Sequence, residues 1–146
     1  MATAPHPSPP PLPSAETCDE TDACVPARRL DGFSWPGRFA YIKIDVEGAE
    51  QLVLSGSAHL LRTQAPMVWS FELLNIQQRL GFSKEGLLQA FARWHYRFFL
   101  YRPRSNTLVL YAGNAHGHWP QRHDDNVLAI HASAVDGVAR RLCGLE

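Results

Sequence analysis

Apolar segments of two different periods alternate through this chain, and that alternation restricts its fold more than any other feature. "FAYIKIDV" (Phe39–Val46) is dense in β-branched and aromatic residues and reads as a strand. "EQLVLSGSAHLLRTQ" (Glu50–Gln64) sets Leu54, Ala58 and Leu61 at i, i+4 and i+7, with Val53 and Leu60 beside them. That spacing predicts one helix with a single apolar stripe, ended by Pro66. "MVWSFELL" (Met67–Leu74) reads as a second strand. In "SKEGLLQAFARWH" (Ser83–His95) Ser83 is the expected N-cap, and Leu87, Leu88, Phe91 and Trp94 share a helix face. "YRFFLYR", "NTLVLYA" and "NVLAIHA" are three further short strands. The last two are expected to pair antiparallel, because the connection between them needs no helix. Strand–helix–strand units imply parallel pairing through crossovers. The expected class is α/β, a doubly wound sheet with antiparallel C-terminal strands at its edge.

The opening segment does not belong to this pattern. Six of the eleven prolines lie between Pro5 and Pro13, and no aromatic residue precedes Phe33. Such a stretch has little to bury, so residues 1–26 are expected to be a disordered, Pro-rich tail. Residues 27–146 form the expected domain. Its function class is narrowed by charge: 14 basic and 14 acidic residues give a formal net charge of zero. Neither a nucleic acid nor an anionic membrane is called for as a partner. No apolar run is long enough to span a bilayer, and no secretory signal is visible, so a cytoplasmic location is the default expectation. Three cysteines, Cys18, Cys24 and Cys143, do not make a disulfide framework.

Within "YIKIDVEGAE" (Tyr41–Glu50) strand alternation puts Ile42, Ile44 and Val46 on one face and Lys43, Asp45 and Glu47 on the other. Charges on a buried strand are costly unless paired or functional. Ligands of open α/β sheets bind beyond the carboxyl ends of the strands, where Asp45 and Glu47 fall. Glu72 stands near the same end of the second strand, so two strands aim carboxylates into one crevice. Plainer roles are open for each residue. Lys43 can simply pair with Asp45, Glu47 can stabilise the turn at Gly48, and Glu50 can serve the helix start, where negative charge is favoured.

"YIKIDVEGAEQLVLSGSAHLL" resembles the hallmark segment of the FkbM family of methyltransferases, K-I-D-V-E-G-x-E followed by x-x-V-L-x-G-x-x-x-L-L. Lys43, Ile44, Asp45, Val46, Glu47, Gly48 and Glu50 match, as do Val53, Leu54, Gly56, Leu60 and Leu61. Glu72 fills the Glu position of the family's next strand. Leu30 and Asp31 resemble a Leu-Asp pair before the hallmark, and "DNVLAIHA" a common domain ending. The resemblance covers about residues 25 to 133. It implies a Rossmann-like, class I sheet and methyl transfer from S-adenosylmethionine, typically to an oxygen of a sugar or small-molecule hydroxyl. By the same resemblance Asp45, Glu47 and Glu72 are the expected catalytic residues, and Asp31, Lys43 and Asp45 the expected cofactor contacts. Asp45 would orient the hydroxyl or take its proton. Three carboxylates also suit a hard cation, but the spacing alone assigns no metal.

Two family motifs are missing. The cofactor turn of the type D-x-G-A-N-x-G, and the ribose-binding acid after it, precede the hallmark in the family, and neither stands before it here. The domain is therefore expected to be a C-terminal portion, and the alternative function is a non-catalytic remnant acting as a binding or interaction module. Gly113 and Gly117 in "LVLYAGNAHGHW" share the missing motif's glycine spacing, but no apolar-periodic helix follows, so a polar hairpin loop is expected. His116, His118 and His123 in that loop are a weak metal pattern. A partial sheet leaves the first strand as an edge, which predicts a homodimer or a completing chain as partner.

Overall fold

The computed structural model describes residues 26–35, 37, 39–63, 67–73, 80–111 and 126–143. Most of the expected Pro-rich tail and the whole Gly113–His123 loop lie outside the described residues. The elements are strands β1 (Tyr41–Ile44), β2 (Val68–Glu72), β3 (Tyr96–Arg102), β4 (Thr107–Leu110) and β5 (Asn126–His131), with helices α1 (Glu50–Ser55), α2 (Ala58–Arg62), α3 (Lys84–Ala92) and α4 (Val135–Ala139). The fold is mixed α/β with one five-stranded sheet, ordered β1-β2-β5-β3-β4.

β1 and β2, joined by a helical crossover, pair in parallel as expected. β5 lies antiparallel between β2 and β3, so β2 and β3 run the same way without touching. The expected β4–β5 pairing is not found. β4 instead folds back on β3 as a hairpin, with Arg102 opposite Thr107 and Asn106 in the left-handed region that such a turn needs. A four-residue return is local and costs little chain entropy. β5 is also the more buried strand: Val127, Ala129 and Ile130 are fully buried, whereas Leu110 of β4 is exposed, which suits a central place for β5. The antiparallel β5 is thus interior, and among the described residues β4 forms the antiparallel edge.

Register sorts the sheet into two faces. Ile42, Ile44, Trp69, Phe71, Val127, Ala129 and Phe98 share the face packed by Leu54, Leu60 and Leu61 of α1 and α2 and by Leu87, Leu88 and Phe91 of α3. Phe91 is its hub, stacked on Phe71 at 5.0 Å and edge-on to Trp69 and Tyr96 at 5.7 and 5.6 Å. The opposite face carries Phe99, Leu108 and Ile130 under Val135 and Val138 of α4. The crossover helices therefore cover one face and α4 the other. Ser83 caps α3 as expected, accepting from the Gly86 N–H at 3.0 Å.

The single helix expected over Glu50–Gln64 is two. It breaks at Gly56–Ser57, where the Ser57 hydroxyl donates back to the Val53 carbonyl at 2.6 Å. That bond competes with the helical ladder. The restart turns Ala58 outward and buries Leu60 with Leu61. Asp31 completes the second helix from 26 residues before Ser57. Its carboxylate accepts from the N–H groups of His59 and Leu60 at 3.0 and 3.3 Å, while its own N–H donates to the Gly56 carbonyl at 2.9 Å. Gly56 backs so closely on Arg29 that an added Cβ would sit 3.4 Å from the Arg29 Cα. The segment before β1 is thereby tied to the helix break.

Candidate functional site

β1 is four residues long and ends at Ile44, shorter than the expected Phe39–Val46 strand. The alternation that placed Glu47 beside Asp45 stops with it. Glu47 and Gly48 both take positive φ, 49° and 100°. Glycine adopts that conformation freely, whereas for Glu47 it is strained. The turn is braced from below by Glu50, the first residue of α1, whose fully buried carboxylate accepts from the Gly48 N–H at 3.2 Å. This is the helix-start role rather than an exposed catalytic one.

The turn returns Glu47 to the place that alternation would have given it. Ile44 pairs with Phe71, and continuing that register by one residue sets Asp45 beside Glu72. Carboxylate oxygens of Asp45, Glu47 and Glu72 lie within 4.8 Å of one another. Asp45 and Glu47 are exposed and Glu72 is half-buried. The cluster stands beyond the carboxyl ends of two parallel strands, the position at which open α/β sheets bind ligands. Lys43 meets Asp45 at 2.8 Å. Its ammonium is held above the ordinary lysine range by that hydrogen bond and by the charge of Asp45, with Glu72 adding to the effect. Asn126, opposite Glu72 across the β2–β5 ladder, donates to its Oε1 at 3.4 Å. Asn126 was not anticipated. It reaches the site only because β5 inserts beside β2, a long-range pairing that no local spacing announces.

Chemically the cluster is rich in acceptors, with the Lys43 cation and the Asn126 amide donor beside it. It can orient a hydroxyl, receive its proton, or face a cationic ligand. Its three carboxylates are also of the type that holds hard cations, though exposed acidic groups often gather without one. Asp31 is not part of the cluster, because both its carboxylate oxygens serve the α2 N-terminus. Beside β1 runs an apolar recess of about 450 Å³, lined by Leu30, Trp35, Phe39, Ile42, Ile44 and Val53 and reached by Lys43, Asp45 and Val46. Trp35 and Phe39 meet edge-on across it at 4.9 Å. Among the described residues no helix is long and apolar enough to cross a membrane.

Compared with known proteins, residues 5–98 match the sequence model of one family, described as the methyltransferase FkbM domain. The match begins inside the Pro-rich segment and takes in β1, β2 and the whole acidic cluster. No curated protein and no solved structure matches.

Proposed function

The chain belongs to the FkbM methyltransferase domain family, and from that premise we propose that its acidic cluster serves S-adenosylmethionine-dependent methyl transfer to a hydroxyl oxygen of a small molecule or sugar. The observation that carries this reading is the convergence of Asp45, Glu47 and Glu72 within 4.8 Å beyond the ends of β1 and β2. In this proposal residues 27–146 work as the C-terminal portion of a Rossmann-like, class I domain.

The donor set fits the cationic and hydroxyl-bearing parts of the cofactor, since ionised carboxylates accept hydrogen bonds and attract positive charge. Asp45 and Glu47 are the residues that would face it, with Lys43 holding Asp45 in place. When bound, S-adenosylmethionine supplies an electrophilic methyl group. The chain's own part is positioning and proton transfer. Glu72, steadied by Asn126, orients the acceptor hydroxyl, and Asp45 takes its proton as the oxygen becomes a nucleophile. The strain at Glu47 is consistent with a residue held for function.

The second reading is a binding or interaction module without catalysis. It is favoured by the exposed apolar side chains of Phe33, Trp35, Tyr41 and Val46 beside β1. Calorimetric titration of the chain with S-adenosylmethionine, beside Asp45→Asn, separates the two. Saturable binding weakened by the substitution is expected. A chain folded by circular dichroism that binds no cofactor would overturn the methyltransferase reading and leave the module.

A further inference from the structure

His131 ends β5 and caps the short turn Ala132–Ala134, which carries the chain round to α4 on the opposite face of the sheet. Its ring is buried, edge-on to Tyr96 at 5.3 Å and to His95 at 6.5 Å. Nδ1 accepts from the Ser133 N–H at 3.3 Å and lies 2.8 Å from the Ser133 hydroxyl. A ring nitrogen that accepts holds no proton, so the neutral ring carries its hydrogen on Nε2. That atom is buried and has no hydrogen-bond partner among the described residues. The ring stands apart from the acidic cluster, and methyl transfer gives it no role.

The groups packed round His131 offer an imidazolium no counter-charge. β2 brings Met67, whose carbonyl accepts from the His131 N–H at 2.9 Å. β3 brings Tyr96, whose hydroxyl accepts from Trp69 Nε1 at 3.3 Å. The turn before β3 brings His95, itself a base. Among the described residues no carboxylate, Asp136 of α4 included, makes an ion pair with the ring. Protonation therefore buries a charge, sets it against His95, and leaves the Ser133 N–H without its acceptor. The segment that follows is lightly held. Val135, Val138 and Leu142 pack on Phe99, Leu108 and Ile130, apart from the larger cluster round Phe91. Backbone bonds from Ala132 to the His95 carbonyl at 2.9 Å and from Cys143 to the Asn106 carbonyl at 2.8 Å tie it down. His95 has a φ of 64°, strained for a residue with a side chain, so losing the first bond also lets that turn relax. We propose that His131 is an acid-operated latch: protonation of its ring releases Ala132–Cys143 from the sheet and uncovers Phe99, Leu108 and Ile130, while the sheet and the helices on its other face stay folded. The latch does not depend on the methyl-transfer reading.

The sign follows from linkage. A histidine that holds its proton less tightly when docked favours docking at higher pH and release at lower pH. Each pH unit below about 6.5 shifts the balance toward release by at most about tenfold, until the docked ring itself titrates. The test is amide NMR of the isotope-labelled full chain, titrated from about pH 7.5 to about pH 5, across the histidine range. The amides of Ser133, Val135, Val138 and Cys143 should move together to disordered positions, at the midpoint of the His131 ring, while those of Trp69 and Phe71 in β2 hold. His131→Asn sets an acceptor that does not titrate near the Nδ1 position, so the segment should stay docked throughout. His95→Gln removes the facing charge and should shift release to lower pH; His95 is exposed, so this variant folds even where His131→Asn does not. Segment amides that hold to the acid end, loss of the segment and β2 in one transition, a folded His131→Asn that still releases, or an unmoved midpoint in His95→Gln would each overturn the proposal.

Discussion

Replacing Asp31 by alanine tests how the segment before the hallmark strand is used. The Asp31 carboxylate closes the first turn of α2 through two hydrogen bonds, to the N–H groups of His59 and Leu60. Ser57, the local N-cap, supplies no side-chain bond to that turn. Asp31 therefore does the work of a capping side chain from a distant point in the sequence. Loss of a cap costs about 1 kcal/mol, within a range of about 0.5–2. Asp31→Ala leaves the backbone bond from its N–H to Gly56 in place, so the loss should stay in that range. In urea, with a slope of about 2 kcal/mol per molar, the midpoint falls by about 0.5 M. Asp31→Asn keeps one acceptor oxygen and should lose about half as much. Tryptophan fluorescence follows the transition, because Trp69 is fully buried in the core. Unchanged urea midpoints in Asp31→Ala would refute the capping argument. An Asp31→Asn variant of unaltered stability that lost cofactor binding would return the residue to the ligand set that the family resemblance implied.

Three further predictions follow from the same geometry. Phe91→Ala removes the hub of the aromatic core and should cost about 3–5 kcal/mol, most of the margin of a small domain, with Phe91→Leu costing less in the same denaturation assay. Glu47→Gly relieves a positive φ and one carboxylate of a crowded cluster, so stability should rise by about 1 kcal/mol while cofactor affinity falls; a lower melting temperature would contradict the strain argument. His131 is buried against Tyr96, and its pKa is lowered by burial and then by the charge of His95. A histidine depressed in the folded state binds protons more readily when unfolded. Stability is therefore full above about pH 6.5 and declines as pH falls through the window below it. His131→Gln should flatten that decline in urea titrations at stepped pH, and an unchanged slope would refute it.

The charged members of the candidate site were legible in the chain. Period-2 alternation and the carboxyl-end rule pointed to Asp45 and Glu72, because both depend on local spacing and on a parallel pair that a helical crossover enforces. The Ser83 cap and the apolar face of α3 were legible for the same reason. Glu47 reached its expected place by another route: a strained turn braced by a buried Glu50 replaced the strand alternation.

What local spacing could not supply was every feature that depends on contacts between distant segments. Helical period ran unbroken from Glu50 to Gln64, yet the segment divides at Gly56, against which Arg29 packs and to which Asp31 bonds. Strand propensity identified β4 and β5 but not their partners. A pairing partner is chosen by burial and by the cost of closing each loop, and both are properties of the assembled sheet. The insertion of β5 between β2 and β3 brings Asn126 to Glu72, and among the described residues the sheet order leaves β1 with one neighbour. The sequence by itself thus determined which residues carry charge into the crevice. Only the tertiary structure decided how they are braced and which edge they share, because those outcomes rest on long-range packing and not on the period of the chain.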